Sequence, residues 1–303
     1  MKPPKPFTSR PATLEDAAGV AELMNACDRN YLEDPDTVDA RDVADWWSRG
    51  ELERDTALVH DPGGRLAASG MLEEKEAGVL GVDVFVHPDF LGRGLGTLML
   101  GWLEEEGRSR ALERLRTAAL AADPAAQPLI EGRGFSAVRH FYRMLIDLDA
   151  PPPEPVWPEG FTVSAFQPGE EGILHAVTEE AFSDHWGHEP RDLEYWQKAV
   201  FACDWWDPSL VYLVREGAEV VAAEVNAFRF GVGWVDTLGT REPWRGRGLG
   251  RALLLSAFGE FHRRGQNRVA LAVDAGNETG ATHLYESVGM RVSWQADVYE
   301  KRR

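Results

Sequence analysis

Apolar and polar residues alternate along this chain with two periods, and the order of the periods repeats. Residues 13–28, TLEDAAGVAELMNACD, carry apolar positions at helical spacing, with Thr13 as a cap candidate and Asp16 three places on. A second helix is expected over 37–49. TALVH, LAASGML and VLGVDVFV then read as strands. GRGLG follows, leading to a helix from 97 to about 108. ERLRTAAL is a weak strand, PAAQPLIEGRGF a short irregular helix and turn, and HFYRMLIDL a strand.

After residue 160 the order returns. FTVSAF opens as a strand, and 170–182 and 191–201 read as helices. SLVYLV and EVVAAEVNAF form a hairpin around Glu216-Gly217, and GWVDTLGT is a further strand. A second GRGLG precedes a helix over 251–264. RVALAVD is a strand, ETGATHLYESVG a helix ending at Gly289, and RVSWQADVYE the last strand. Between the halves lies DAPPPEPVWPEG, whose prolines interrupt helix and sheet pairing alike. The expected domains are 1–150 and 151–303. Each is an α/β unit with a mixed twisted sheet flanked by helices, and the pair reads as a tandem duplication.

Composition narrows the field. The chain has 303 residues, 44% of them hydrophobic, enough for two cored domains. Fifty acidic residues against 32 basic ones give a net charge of −18, which disfavours nucleic acid as a partner. No apolar run approaches the roughly 20 residues of a membrane helix, and no signal-peptide pattern opens the chain. The two cysteines, Cys27 and Cys203, fall in different halves. A reduced, cytoplasmic protein is expected.

The chemistry concentrates at the two strand-to-helix junctions. In the second, Gly246, Gly248 and Gly250 permit a close turn, and the amides of Leu249 and its neighbours at the helix start lack intrahelical partners. A pyrophosphate can use such amides, with Arg245, Arg247 and Arg251 adding positive charge. The dinucleotide fingerprint and the P-loop are excluded, because the third glycine and the Gly-Lys-Ser/Thr are missing. The first junction, Gly92, Arg93, Gly94, Leu95 and Gly96, repeats the pattern.

Arg245, Gly248 and Gly250, followed by Asn277 and Tyr285 in LAVDAGNETGATHLYESVGM, resemble the two acyl-CoA motifs of the GCN5-related N-acetyltransferase (GNAT) superfamily. The paired organisation resembles tandem acetyltransferases of the mycothiol-synthase type. The resemblance covers both halves and is sharp from 236 to 290. It implies a GNAT fold in each half, with acetyl-CoA wedged between two splayed parallel strands, 233–240 and 268–273. The backbone of Leu238, Gly239 and Thr240 would meet the pantetheine arm, and Asn277 would meet its peptide groups. Amides near Leu238 and Gly239 would stabilise the oxyanion.

The resemblance also implies Tyr285 as the acid that protonates the departing thiolate. A base is sought among carboxylates on the strands: Glu224 is preferred, and Asp236 is the alternative, either as base or as a contact for water or substrate ammonium. Asp184, His185 and Trp186 are the candidate acceptor contacts. His185 and His188 lack a matching ligand cluster, so no metal is expected. In the first half Leu91 stands opposite Arg245, Ile130 opposite Tyr285, and Ala122 or Asp123 opposite Asn277. That half is therefore expected to be degenerate.

The expected function is acyl-CoA-dependent N-acylation, with acetyl-CoA as donor and a small-molecule primary amine as acceptor. A non-catalytic acyl-CoA sensor and a structural interaction module are the alternatives. The resemblance raises cysteinyl-glucosamine-inositol as an acceptor beside aminoglycosides, polyamines, amino acids and protein amines. Monomer and homodimer both remain open.

Overall fold

A computed structural model describes residues 1–48, 50–277 and 280–303. Arg49, where the second expected helix was to end, and Glu278 and Thr279 in the last expected helix lie outside the described residues.

The chain divides into two compact units. The first comprises residues 1–141 and 294–303. It runs β1 (Thr8–Arg10), α1 (Ala17–Tyr31), α2 (Ala40–Trp47), α3 (Leu52–Asp55), β2 (Thr56–His60), β3 (Leu66–Glu76), β4 (Val79–Val86), α4 (Leu95–Ser109), β5 (Arg114–Leu120) and α5 (Ala126–Glu131). Thr13 does cap, but it caps a 3-10 turn at Leu14–Asp16, with Asp16 closing the capping box; α1 begins one residue later. β1 was not expected, since three residues are too few to display alternation. β1 to β4 pair antiparallel in sequence order, and β4 pairs parallel with β5.

The second unit, 142–293, begins within β6 (Ser136–Asp147). It continues through β7 (Phe161–Ala165), α6 (Glu171–Phe182), α7 (Leu193–Trp196), β8 (Val211–Glu216), β9 (Glu219–Arg229), β10 (Val232–Thr240), α8 (Leu249–Arg263), β11 (Arg268–Asp274) and α9 (Ala281–Ser287). The helix expected over 191–201 is shorter: α7 passes into a π-turn at Gln197–Phe201. β7 to β10 are antiparallel neighbours, and β10 meets β11 in parallel.

The division expected at 150/151 is crossed twice. Residues 142–147 of β6 neighbour β11, and Leu148 donates its amide to the Asn267 carbonyl at 2.6 Å. The last strand, β12 (Arg291–Arg302), pairs antiparallel with β5 from Ala296↔Leu120 to Arg302↔Arg114. The chain's C-terminal strand therefore completes the first unit's sheet. Arg114 and Arg116 fix that register by donating to Glu300 at 2.9 Å each.

Each sheet is covered by helices that bury an apolar stripe. In the first unit Met99, Leu103, Leu80 and Leu115 are fully buried together. In the second, Leu254, Phe258 and Phe261 of α8 pack over Val269 and Leu271 of β11.

Candidate active site

The two GRGLG turns have nearly the same backbone. Each is preceded by a 3-10 turn, Pro88–Phe90 or Glu242–Trp244. The next residue has φ −60° and ψ 152° at Leu91, and −60° and 151° at Arg245. Gly92 and Gly246 follow at φ 71° and 75°, then Gly94 and Gly248 at 78° and 88°. Only glycine takes such angles without strain. A Cβ added at any of these four would meet nothing within 4 Å, so the backbone itself is the exposed surface of the turn. The first helical hydrogen bonds return to Gly94 and Gly248, from Leu98 and Ala252. The amides before those donors have no helical partner, as an anion cradle requires.

The third glycine has another purpose. A Cβ on Gly250 would lie 3.0 Å from Leu284, and one on Gly96 would lie 2.9 Å from Leu129. These glycines bring the helix start against α9 or α5. The equivalence of Leu129 and Leu284 also places Ile130 opposite Tyr285. A shared turn, from Leu120 to Asp123 and from Asp274 to Asn277, selects Asp123 as the counterpart of Asn277.

The parallel strands splay. β10 and β11 pair only at Gly233↔Val269 and Trp234↔Ala270, although both continue for several residues. Leu238, Gly239 and Thr240 lie in that unpaired stretch of β10. The residues present therefore fit a pantetheine arm between the strands and a pyrophosphate at the α8 mouth.

The arginines have partners within the protein. Arg245 donates to the Thr240 carbonyl at 3.1 Å, the Ala181 carbonyl at 2.9 Å and Asp184 at 2.9 Å. It ties the end of β10 to the end of α6. Arg247 reaches the Pro243 carbonyl at 3.2 Å and Glu216 at 3.6 Å. Arg251 donates to the Ser287 carbonyl at 2.7 Å. In the first unit Arg93 stacks over Phe90 at 5.1 Å. The expected acceptor contact Asp184 is thus the partner of Arg245, which holds its carboxyl below the usual range. His185 packs edge-on to Phe182 at 4.4 Å, and burial lowers its pKa. Trp186 is half-buried in the same loop.

A bulge separates the two candidate bases. β10 and β9 shift register between Val235 and Thr237, which puts Asp236 in the bulge and exposes it. Its carboxylate lies 3.8 Å from Arg229. Glu224 is different: it is fully buried and lies directly opposite Leu238 on one side and Tyr212 on the other. Neither carboxyl oxygen has a geometrically sound hydrogen bond. Burial raises its pKa to about 8, with Asn226 opposing slightly. Tyr285 is also buried, and its hydroxyl is pushed up to about 12 by burial and then by the Glu224 charge. Tyr212 is raised by burial and by the same charge. The fold therefore brings Glu224 and Tyr285 into one electrostatic site and leaves Asp236 outside it.

Sequence reasoning missed Tyr212. The hairpin starts with Glu216↔Glu219, and a simple count puts Ala223 opposite Tyr212. A register shift at Val214/Arg215 replaces Ala223 by Glu224. The Glu216-Gly217 turn was visible, but the shift was not.

The comparisons agree with this geometry. The profile of the Acetyltransferase (GNAT) family matches twice, at residues 19–135 and 173–290. The chain belongs to that family. Over 233 residues it is 35% identical to a mycothiol acetyltransferase of Thermobispora bispora, covering 73% of this chain and 75% of that one. A mycothiol acetyltransferase of Acidothermus cellulolyticus is 32% identical over 237 residues, 73% and 70% of the two chains. A solved GCN5-related N-acetyltransferase from Sphaerobacter thermophilus superposes with a TM-score of 0.85 at 34% identity, covering 99% of this chain and 96% of that one. A tandem GNAT protein from the clavulanic acid biosynthesis pathway shares the fold at TM-score 0.77 and 16% identity, covering 98% of each chain. The chain is an N-acetyltransferase of tandem GNAT architecture, and its family uses acetyl-CoA as acyl donor. No described helix is long and apolar enough to cross a membrane.

Proposed function

We propose that the second unit transfers the acetyl group of acetyl-CoA to a primary amine of a small molecule, while the first unit performs no acyl transfer. The observation that carries this reading is the buried Glu224–Tyr285 pair, which has no counterpart in the first unit. A carboxyl with a pKa near 8 is a stronger base than an ordinary carboxylate and is matched to an ammonium near neutral pH. Glu224 accepts the proton that the amine loses on attacking the thioester carbonyl. The carbonyl oxygen, as it gains charge, is met by amides of β10 near Leu238 and Gly239. Tyr285 gives its proton to sulfur as the C–S bond breaks. Its high pKa against a thiol near 8.5 makes this transfer favourable only when coupled to that bond cleavage.

The amides after Gly248 hold the pyrophosphate. Arg245 contributes indirectly, by fixing the α6 loop at Asp184 beside the cofactor turn. The mycothiol acetyltransferase relatives support a small-molecule acceptor related to mycothiol. Asp184, His185 and Trp186 belong to this reading as the acceptor side, and Asp236 as a contact for its ammonium.

Mass detection of acetylated products tests it, with acetyl-CoA and a pool containing cysteinyl-glucosamine-inositol, an aminoglycoside, a polyamine and a lysine peptide. A single small-molecule product carrying one added acetyl group is expected. Acetylation of the peptide alone, or of nothing, contradicts the reading.

A further inference from the structure

We propose that the first unit binds a small organic ammonium ion, independently of acyl transfer, in a cavity between α1, α2 and the face of β3 and β4 beneath them. The cavity encloses about 300 Å³, at the lower end of the roughly 300–1,000 Å³ typical of small-ligand sites. It lies on the sheet face opposite the position that matches Glu224.

The lining divides into two parts. Trp46, Trp47 and Phe85 supply aromatic surface, and Glu73, Lys75 and Asp83 supply charge. The Lys75 ammonium donates to Glu73 at 2.7 Å and to Asp83 at 2.9 Å. Two carboxylates against one ammonium leave the cavity with a net negative charge. Aromatic faces add a further preference for a cation with an apolar body. An anion would meet the opposite field, in a chain that already carries a net charge of −18.

The arrangement is built rather than incidental. The Lys75 stem lies across Gly81, where an added Cβ would come within 2.7 Å of its Cγ. Gly81 is therefore what lets the lysine fold back onto the carboxylate pair. The second unit repeats it only in part: counting from the Gly70–Glu224 match, Arg229 stands where Lys75 does and lies 3.8 Å from Asp236 at the bulge, but Ala227 replaces Glu73, so the second carboxylate is missing. In the first unit Gly70, Ala57 and Ile130 stand where Glu224, Tyr212 and Tyr285 do. A ligand held in this cavity would be retained unmodified, which makes the cavity a sensing site.

The test titrates the full-length protein, without acetyl-CoA, by calorimetry and tryptophan fluorescence. The probes are 2-phenylethylamine, its neutral analogue 2-phenylethanol and its anionic analogue phenylacetate. The amine is expected to bind about ten-fold more tightly than the alcohol, and phenylacetate more weakly than both. Glu73→Gln and Asp83→Asn should each weaken the amine about five-fold, while Lys75→Met, which removes the competing cation, should tighten it. Acetylation kinetics of the acceptor should not change in Glu73→Gln. Absence of amine uptake, equal affinity for the alcohol, preference for phenylacetate, or an amine affinity unmoved by all three substitutions would overturn the proposal. Because no acetyl-CoA is present, failure of the acetylation reading would leave this result standing.

Discussion

The two units share the backbone of a glycine turn, with Gly92 and Gly246 at φ 71° and 75° and Gly94 and Gly248 at 78° and 88°, and differ completely in what stands beside it. Taking Glu224 as reference, the strand register matches it with Gly70, Leu238 with Val84 and Tyr212 with Ala57. Ile130 takes the place of Tyr285. No ionisable group remains among these four positions of the first unit. The space is also closed: a Cβ on Gly70 would lie 3.1 Å from Met99 and 3.2 Å from Trp102. The same helix positions in the second unit, counted from the aligned glycines, are Leu253 and Ser256. Duplication has preserved the backbone of the glycine turn and replaced the ionisable side chains beside it. On the proposed function, binding and catalysis are separable and carried by different residues.

The sharpest way to break the comparison is Glu224→Gln. Loss of a general base should lower kcat by about 10²–10⁴, with acetyl-CoA affinity unchanged by calorimetry. Tyr285→Phe should follow, with a loss of about 10² in single-turnover acetyl transfer; an unchanged rate would remove Tyr285 as the acid. The Glu224 titration gives a third test. Its pKa of about 8 means that kcat/KM should climb with pH and level off above that value. The sign for stability is opposite. The folded state holds the Glu224 proton up to about pH 8, whereas the unfolded chain releases it near 4.5. Stability from this group therefore falls across that window. Relative to the native protein, Glu224→Gln should melt higher at pH 9 than at pH 5. The smallest effect belongs to the first unit. Gly70→Ala should cost about 1–3 kcal/mol through overpacking against Met99 and Trp102, read as a lower Tm with acetylation kept.

What the sequence made legible was local. Both GRGLG turns, their following helices and the Glu216-Gly217 hairpin depend on glycine torsions and short-range periodicity. Ile130 could be set against Tyr285 by spacing alone. What escaped was set by distant partners. β12 completes the first unit's sheet because it pairs with β5, more than 170 positions away, and nothing in RVSWQADVYE encodes that choice. The contacts of Arg245 with Asp184 and the Ala181 carbonyl appear only once α6 is brought beside β10. The exposed place of Asp236 depends on a bulge in β10 that shifts the register by a single residue. Gly70, Met99 and Trp102 gain their meaning only once strand register and helix packing are both known.

The claim that one unit does all the chemistry is tested most directly by steady-state acetylation with the double substitution Glu224→Gln, Tyr285→Phe, at saturating acetyl-CoA and acceptor. With acetyl-CoA binding intact by calorimetry, transfer should fall by about 10²–10⁴ or more. Turnover persisting at a tenth or more of the native rate would place the reaction in the first unit and contradict the account.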